Sequence, residues 1–353
     1  VMSQKKENII LLLSLLITTG VISAGLWWLF SQRQTPNIAD GNPAKIAVTN
    51  AVASDPSTGG KILFQRELNP EKQAAAKAIA EENYPEAESL FKQSLNKQHN
   101  DPEALIYLNN AQIGNRQAYG IAVPVPIGTE ETSAKEILRG VAQAQSEINQ
   151  QGGINNIPLK VLIVNDNNDP QTAKQVAQEL VKNQDVLGVV GHFSSGVTLA
   201  TAPIYEQNKL VAISPSSTSI AISDAGEYIF RTVPSDRFTS SALAKYFLER
   251  LKLREAVIIY NSQSPYSRSL QETFTTDVVS NGGEVVMEVD LSENNFNPAQ
   301  TLKTAKERGA KVLVLLNDST IVDKAYLLMQ LNNRNLPLLG GDSLYKPQTL
   351  EIV

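Results

Sequence analysis

The spacing of apolar positions changes twice along this chain, and each change marks a different kind of structure. Ile9–Phe30 is predominantly apolar and carries no charge. As a helix its 22 residues reach about 33 Å, enough to span a bilayer core of roughly 30 Å. Lys5 and Lys6 precede the run while only Arg33 follows it closely, so the positive-inside bias puts residues 1–8 in the cytoplasm and the bulk outside it. Ser23-Ala24-Gly25 also offers a small-residue cleavage site, but the run continues through Leu26–Phe30 and exceeds the length of a signal-peptide core. A single-pass anchor over residues 9–30 is the expectation. Residues 31–66 are rich in Asn, Pro, Ala, Thr, Ser and Gly without an apolar period and read as a flexible tether.

Residues 67–117 carry apolar residues at three- and four-residue spacing. Asn69-Pro70-Glu71 and Asp101-Pro102-Glu103 each combine an Asx cap, proline at the first helical position and a first-turn glutamate. Between them Asn83-Tyr84 interrupts the pattern before Pro85 opens a helix with Ala87, Leu90, Phe91 and Leu95 on one face. Three short antiparallel helices follow from this. The spacing of 32 between Pro70 and Pro102, with Asn83-Tyr84-x-x-Ala87-x-x-x-Phe91-x-x-x-Leu95, resembles about one and a half tetratricopeptide repeats. Such a segment serves as a packed helical spacer or, given more repeats, as a groove for a protein partner.

From Tyr119 onward strand and helix patterns alternate. Strands are expected at Tyr119–Val125, Leu159–Val164, Leu187–Val190 and Leu210–Ile213, with helices opened by the capping box Ser133-Ala-Lys-Glu136, near Gln171–Asn183, at Gly196–Gln207 and after Thr218. A second series follows Phe230-Arg231-Thr232-Val233-Pro234. It has helices at Ser240–Leu251, Arg268–Asn281, Pro298–Arg308 and Ile321–Leu331, and strands at Ala256–Tyr260, Glu284–Val289, Val312–Leu315 and Leu336–Leu339. β-Branched strands alternating with helices predict parallel sheets covered on both faces, so the fold class is α/β in two lobes, residues 118–235 and 236–353.

Composition narrows the chemistry. The chain has 353 residues, 31 Lys and Arg against 36 Asp and Glu, a net charge of −5 and no basic stripe, so no nucleic-acid surface is expected. Cysteine is absent and only His99 and His192 are histidines. Thiolate nucleophiles and zinc–thiolate sites are thereby excluded, and neither a metal site nor a cofactor is expected. Ser194 and Ser195 have no paired base, and His192 stands where a Gly-x-Ser-x-Gly elbow needs its first glycine, so a non-enzyme is expected.

The candidate site lies where apolar strands run into small hydroxyl residues: Gly191-His-Phe-Ser-Ser195-Gly196 and Ser214-Pro-Ser-Ser-Thr218. Two helix starts side by side at the carboxyl ends of neighbouring strands would form an anion receptor, suited to a carboxylate. The loops at the corresponding ends of the second lobe include Tyr266, Asp318 and Asp342.

Taken in order, Leu138-Arg-Gly140 with Ile148-Asn-x-x-Gly-Gly-Ile154, Asp166-x-x-Asp-Pro170, Val190-Gly-His-x-Ser-Ser195, Ile213-Ser-Pro-x-x-Thr218, Phe230-Arg231-Thr232 and Gly340-Gly-Asp342 resemble the type I periplasmic solute-binding proteins of ABC importers, in particular the branched-chain amino-acid-binding family. The resemblance covers Tyr119–Val353 and implies the two-lobed fold of that family, with the second lobe stopping short of its returning strands. It implies that Ser195, Ser216 and Thr218 surround a ligand carboxylate, that Asp342 accepts from an ammonium and that Tyr266 closes over the ligand. Ser133 and Asp318 stand where the family often has aromatic walls, which implies a pocket favouring a polar or cationic side chain. Residue by residue, the plainer readings are helix caps at Ser195 and Thr218, a turn cap at Asp342 and a surface aromatic at Tyr266.

Function follows as an expectation: an extracytoplasmic receptor that closes on a small amino-acid-like solute, is tethered to the membrane by its N-terminal helix and delivers to an ABC permease. The alternative uses the same pocket as a membrane-anchored sensor or scaffold, with the helical segment docking a protein partner.

Overall fold

The computed structural model describes residues 56–352. The membrane span expected at Ile9–Phe30 lies outside the described residues. Among the described residues no helix is long and apolar enough to cross a membrane.

Helices α1 (Pro70–Ala80), α2 (Tyr84–Lys97) and α3 (Pro102–Ile113) form the expected antiparallel stack. Asn69 and Asp101 cap α1 and α3 by accepting from the amides of Lys72 and Ala104, which supplies acceptors for first-turn N–H groups that have none inside the helix. Asn83 makes no such bond at the start of α2.

The first lobe carries β1 (Tyr119–Val125), α4 (Glu131–Gln150), β2 (Leu159–Asn165), α5 (Pro170–Leu180), β3 (Val186–Val190), α6 (Ser195–Gln207), β4 (Ala212–Ser214) and β5 (Ile229–Arg231). Its strands are all parallel, in the order β2-β1-β3-β4-β5. The second lobe carries α7 (Asp236–Lys245) with a π turn at Tyr246–Arg250, β6 (Glu255–Tyr260), α8 (Pro265–Ser280), β7 (Glu284–Asp290), α9 (Pro298–Glu307), β8 (Val312–Leu315), α10 (Val322–Asn332), β9 (Leu338–Gly340) and α11 (Pro347–Ile352). Its strands are also parallel, in the order β7-β6-β8-β9. Each sheet is apolar on both faces. In β2, Val161 and Ile163 join one core while Leu162 and Val164 join the other, and in β6 Val257 and Ile259 are divided from Ala256 and Ile258 in the same way.

Several boundaries differ from the sequence reading. Helix α4 starts before Ser133, because a turn at Pro126 delivers the carbonyl of Glu130 to the amide of Ala134, so the expected capping box is not its cap. Helix α7 starts at Asp236 rather than Ser240. The segment after Thr218 forms only a 3₁₀ turn, Ile220–Asp224, so just one of the two hydroxyl-rich turns opens an α-helix.

The largest departure concerns residues 56–117. Phe64, Ala75, Ala78, Ala87, Phe91, Ile106 and Tyr107 share one continuous core with Val123, Val125, Leu138, Val161 and Ile163 of the first lobe. Residues 56–64, read as the end of a tether, are therefore packed, and the helical segment is built onto the lobe. Its position explains how the open edge of β2 is closed. Alternate residues of an edge strand turn both backbone polar groups outward, which leaves a template for aggregation unless something covers it. Leu159 exchanges bonds with the Asn149 side chain, Val161 with Asn110, and Ile163 with the backbone of Ser57. Asn110 uses its full capacity: Nδ2 donates to Thr58 O and Val161 O, and Oδ1 accepts from Val161 N and Gln145 Nε2. Asn110→Leu leaves these partners buried and unpaired, with an expected loss of about 2 kcal/mol in chemical denaturation. A loss below a few tenths would show that water replaces the side chain.

Candidate functional site

In parallel sheets the ligand crevice forms beyond the carboxyl ends of the strands, where successive connections diverge to opposite faces. In the first lobe that place lies between β1 and β3. Gly191 sits at the end of β3 against β1, where any Cβ would lie 2.8 Å from Pro124 O. His192 then turns into the core with neither ring nitrogen left open: Nδ1 is 2.6 Å from Asp166 Oδ2 and Nε2 is 2.9 Å from Tyr205 Oη, all three side chains being buried. These contacts make His192 a packed residue of the core. The same burial, with the charge of Asp166 adding to it, pushes the Tyr205 hydroxyl far above its ordinary range.

The following loop is held from the neighbouring turn by hydroxyls. Ser214 Oγ donates to His192 O at 2.7 Å, and Ser216 Oγ donates to Phe193 O at 2.7 Å. Ser194 is the cap of α6, accepting from Val197 N, so Ser195 is the first helical residue and not the cap. Ser195 Oγ accepts from Ser219 N at 3.2 Å, which ties the two hydroxyl-rich turns face to face. The amides of Ser195 and Gly196 lie in the first turn of a 13-residue helix, where intrahelical acceptors are lacking. Thr218 sends its carbonyl to Asp236 N and to the Arg231 guanidinium, while its hydroxyl is buried without a hydrogen-bond partner.

In the second lobe the structure joins Tyr266 to Asp342: the Tyr266 hydroxyl donates to Asp342 Oδ1 and accepts from Ser343 N. Burial and the Asp342 charge hold the Tyr266 hydroxyl well above its ordinary range. Asp342 caps no turn, and the 3₁₀ turn Asp342–Leu344 has no side-chain cap. Asp318 does act as a cap. Its Oδ1 accepts from Thr320 N, Thr320 Oγ1 and Asn261 Nδ2.

The lobes meet at these loops. Ile220 N donates to Ser269 Oγ at 3.0 Å, and a Cβ on Gly196 would lie 3.5 Å from Pro265 Cδ, so the start of α6 faces the start of α8. Lys346 reaches across to Glu130 at 3.1 Å. Asp236, which the sequence reading passed over, lies at this seam. It is 1% exposed, and both carboxylate oxygens lack hydrogen-bond partners. The sequence signal for it is only positional: a carboxylate one turn past the Pro234 crossing between lobes.

Comparison with known proteins agrees with this architecture. Residues 64–116 match the coatomer epsilon subunit profile. An amino acid binding protein of Pseudomonas aeruginosa is 28% identical over 197 residues, 55% of this chain and 52% of that protein. The Leu/Ile/Val-binding protein homolog 1 of Brucella abortus is 30% identical over 154 residues, 43% of this chain and 41% of the other. The chain thus spans about half the length of the curated relatives it matches. Among solved structures, a leucine binding protein of Thermotoga maritima superposes with a TM-score of 0.60 at 20% identity, covering 67% of this chain and 66% of that one. A branched-chain amino acid transporter substrate binding protein of Streptococcus pneumoniae, in complex with isoleucine, gives 0.56 at 22% identity, with 65% of each chain covered. At these identities the superpositions establish the shared fold. The profile of the periplasmic binding protein family matches residues 121–339, most of both lobes, and the chain belongs to that family.

Proposed function

We propose that this protein is the extracytoplasmic substrate-binding component of an ABC-type amino-acid uptake system, that it closes on one small zwitterionic solute between its lobes, and that it hands the solute to a permease without making or breaking a bond. The observation that carries the reading is the seam itself. The first turn of α6 meets the start of α8 at Gly196 and Pro265; beside that contact the first lobe carries the hydroxyls of Ser195, Ser216 and Thr218 with helix amides, and the second lobe carries Tyr266 joined to Asp342. A helix start and hydroxyls suit the carboxylate of an amino acid, and Asp342 suits its ammonium. Closure is a hinge motion driven by contacts that the ligand makes to both lobes at once. The curated relatives bear the names of amino-acid-binding proteins. Tethering through Ile9–Phe30 belongs to the same proposal. The helical segment enters it as a structural part of the first lobe, since its inner face is buried there.

A thermal-shift screen of the full chain against the proteinogenic amino acids and their deaminated counterparts tests the reading. At a hundred times its dissociation constant, a ligand that binds only the folded form adds about 2.7 kcal/mol of stability. One or a few amino acids are expected to shift the transition, their deaminated counterparts are not, and calorimetry of leucine against arginine decides whether Asp318 tunes the side-chain end. A screen in which no amino acid shifts the transition, or in which a bound solute is steadily converted, overturns the reading.

A further inference from the structure

We propose that the outer edge of β7 is a docking edge for an extended cationic segment of another protein, which adds to the second sheet as a further strand. The inference does not depend on the solute of the proposed function. It starts from a difference between the lobes. The two sheets share their strand order over the first four strands, so β7 stands at the end of the second sheet where β2 stands at the end of the first. The edge of β2 is closed, because Leu159, Val161 and Ile163 exchange bonds with Asn149, Asn110 and Ser57. Nothing comparable covers β7. Leu291 N donates to Tyr260 O, and Glu288, Val289 and Asp290 pair in step with Ile258, Ile259 and Tyr260, so Val289 faces β6 while Glu288 turns its N–H and C=O outward. Among the described residues no side chain or loop takes either group. Cations bracket this open stretch: Arg308 donates to Val286 O at 3.3 Å, and Lys324 donates to Leu291 O.

The two faces of the edge state what fits it, since an added strand sends alternate side chains to opposite faces. On the α9 side, beside Met287, Val289 and Phe296, lies a groove of about 250 Å³ with Asn297, Gln300 and Thr304 along its helical wall. It accepts an apolar side chain. On the α8 side stands Glu288, whose carboxylate accepts from Gln271 Nε2 at 2.7 Å and from the Thr275 hydroxyl, and Asp290 follows two positions on. Burial by itself raises the Asp290 carboxyl, but the bonds from Ser262 and Ser292 outweigh it and hold it down at about 2. The residues around the groove include the acids Glu288, Asp290 and Glu293 and no base. Lys324, over the Phe296 ring at 5.9 Å, is already committed to Leu291 O. A strand in which lysine or arginine alternates with apolar residues therefore matches both faces, with main-chain bonds to Glu288 supplying the register. A second copy of β7 does not match, because Glu288 and Asp290 would meet acids of the same sign across the new pair.

The test uses the full chain and fluorescence anisotropy with three labelled hexapeptides: one in which lysine and valine alternate, one with the same residues in two blocks, and one in which glutamate and valine alternate. Wild type is expected to bind the alternating lysine peptide at least about tenfold more tightly than either of the others, with an affinity that falls as salt is raised. Glu288→Pro removes the outward N–H, a change an edge strand tolerates because the sheet does not use that group, and should weaken the lysine peptide by at least about tenfold. A melting temperature within about 2 °C of wild type shows that the variant folds. Glu293→Lys, at an exposed position, should weaken the same peptide by about threefold, and it decides the question together with the block isomer if Glu288→Pro does not fold. The docking edge is overturned if wild type binds none of the peptides, as it would if the acids serve only to keep strands away, or if it takes the block isomer as tightly as the alternating one. It is overturned equally if a folded Glu288→Pro protein keeps its affinity within about twofold. A dimer of the chain in sedimentation that Glu288→Pro disperses would show that the edge pairs with a second copy, and the proposal falls with that result too.

Discussion

Lys72→Met is expected to destabilise the protein by about 3 to 5 kcal/mol at neutral pH, the loss associated with removing one partner from a buried ion pair. Lys72 is fully buried on α1, with Nζ 2.5 Å from Asp101 Oδ2 and 2.8 Å from Glu103 Oε2. One cation thus serves two acids, and each acid has a second task. Asp101 Oδ1 caps α3, and Glu103 Oε1 accepts from Leu63 N at 2.6 Å. Burial raises the Glu103 carboxyl above its ordinary range, with Lys72 offsetting part of the rise. Burial also disfavours the charged ammonium, but the two acids outweigh it, so the Lys72 amine is held above its ordinary range. Methionine matches the stem of lysine and removes only the charge, leaving both carboxylates facing each other out of water. Because α1–α3 and the first lobe share a core, the loss should appear in the unfolding of that lobe, followed by hydrogen exchange in β1 and β2, and not only in local fraying of the helices. Exchange that quickens in α1–α3 while β1 and β2 keep wild-type protection would mean that the segment is an independent module after all.

That same triad shows where sequence reading stops. The Asx–Pro–Glu starts at 69 and 101 are legible because capping is local: the side chain and the amide it serves are three residues apart. Lys72 and Glu103 are charged, and charged residues are by default exposed, so nothing in the pattern places them inside. They are inside because α3 is wedged between α2 and the first lobe and is buried around almost its whole circumference. A helix buried on every side loses the apolar stripe that would reveal what it packs against.

The site divides along the same line. Strand β1 is found at its expected bounds, and the strand ends lead into loops at which the lobes meet, since period and turn chemistry are short-range signals. Ser195, Ser216 and Thr218 come together, as do Tyr266 and Asp342, because parallel strands bring their carboxyl ends to one edge. What the pattern does not carry is pairing across sequence distance. Asp236, ahead of the helix start expected at Ser240, carries no local signal until the first lobe is folded against it. His192 meets Asp166 and Tyr205 only because β2 and β3, on either side of β1, bring their carboxyl ends to one edge beside α6, and that meeting is the basis for the second large effect expected.

His192→Leu should lower stability by about 3 to 5 kcal/mol and weaken binding of any amino acid found in the screen by at least about tenfold. The substitution leaves Asp166 Oδ2 and the Tyr205 hydroxyl buried with nothing between them. It also frees the loop on which the first-lobe wall of the proposed site depends. His192 O anchors Ser214 Oγ at 2.7 Å and Thr198 Oγ1 at 3.4 Å, and the next carbonyl, of Phe193, takes Ser216 and Ser217. If the ring fixes these carbonyls, the amides at the start of α6 lose their aim when it is removed. Asp166→Leu in the same chain supplies the control, because a double variant without the stranded carboxylate should recover part of the stability lost by His192→Leu alone. It should not recover the affinity, since no group then holds the loop. Equal affinities in wild type and both variants would show that the hydroxyl contacts orient the loop without the ring, and that the buried His192–Asp166–Tyr205 chain serves the core and not the site.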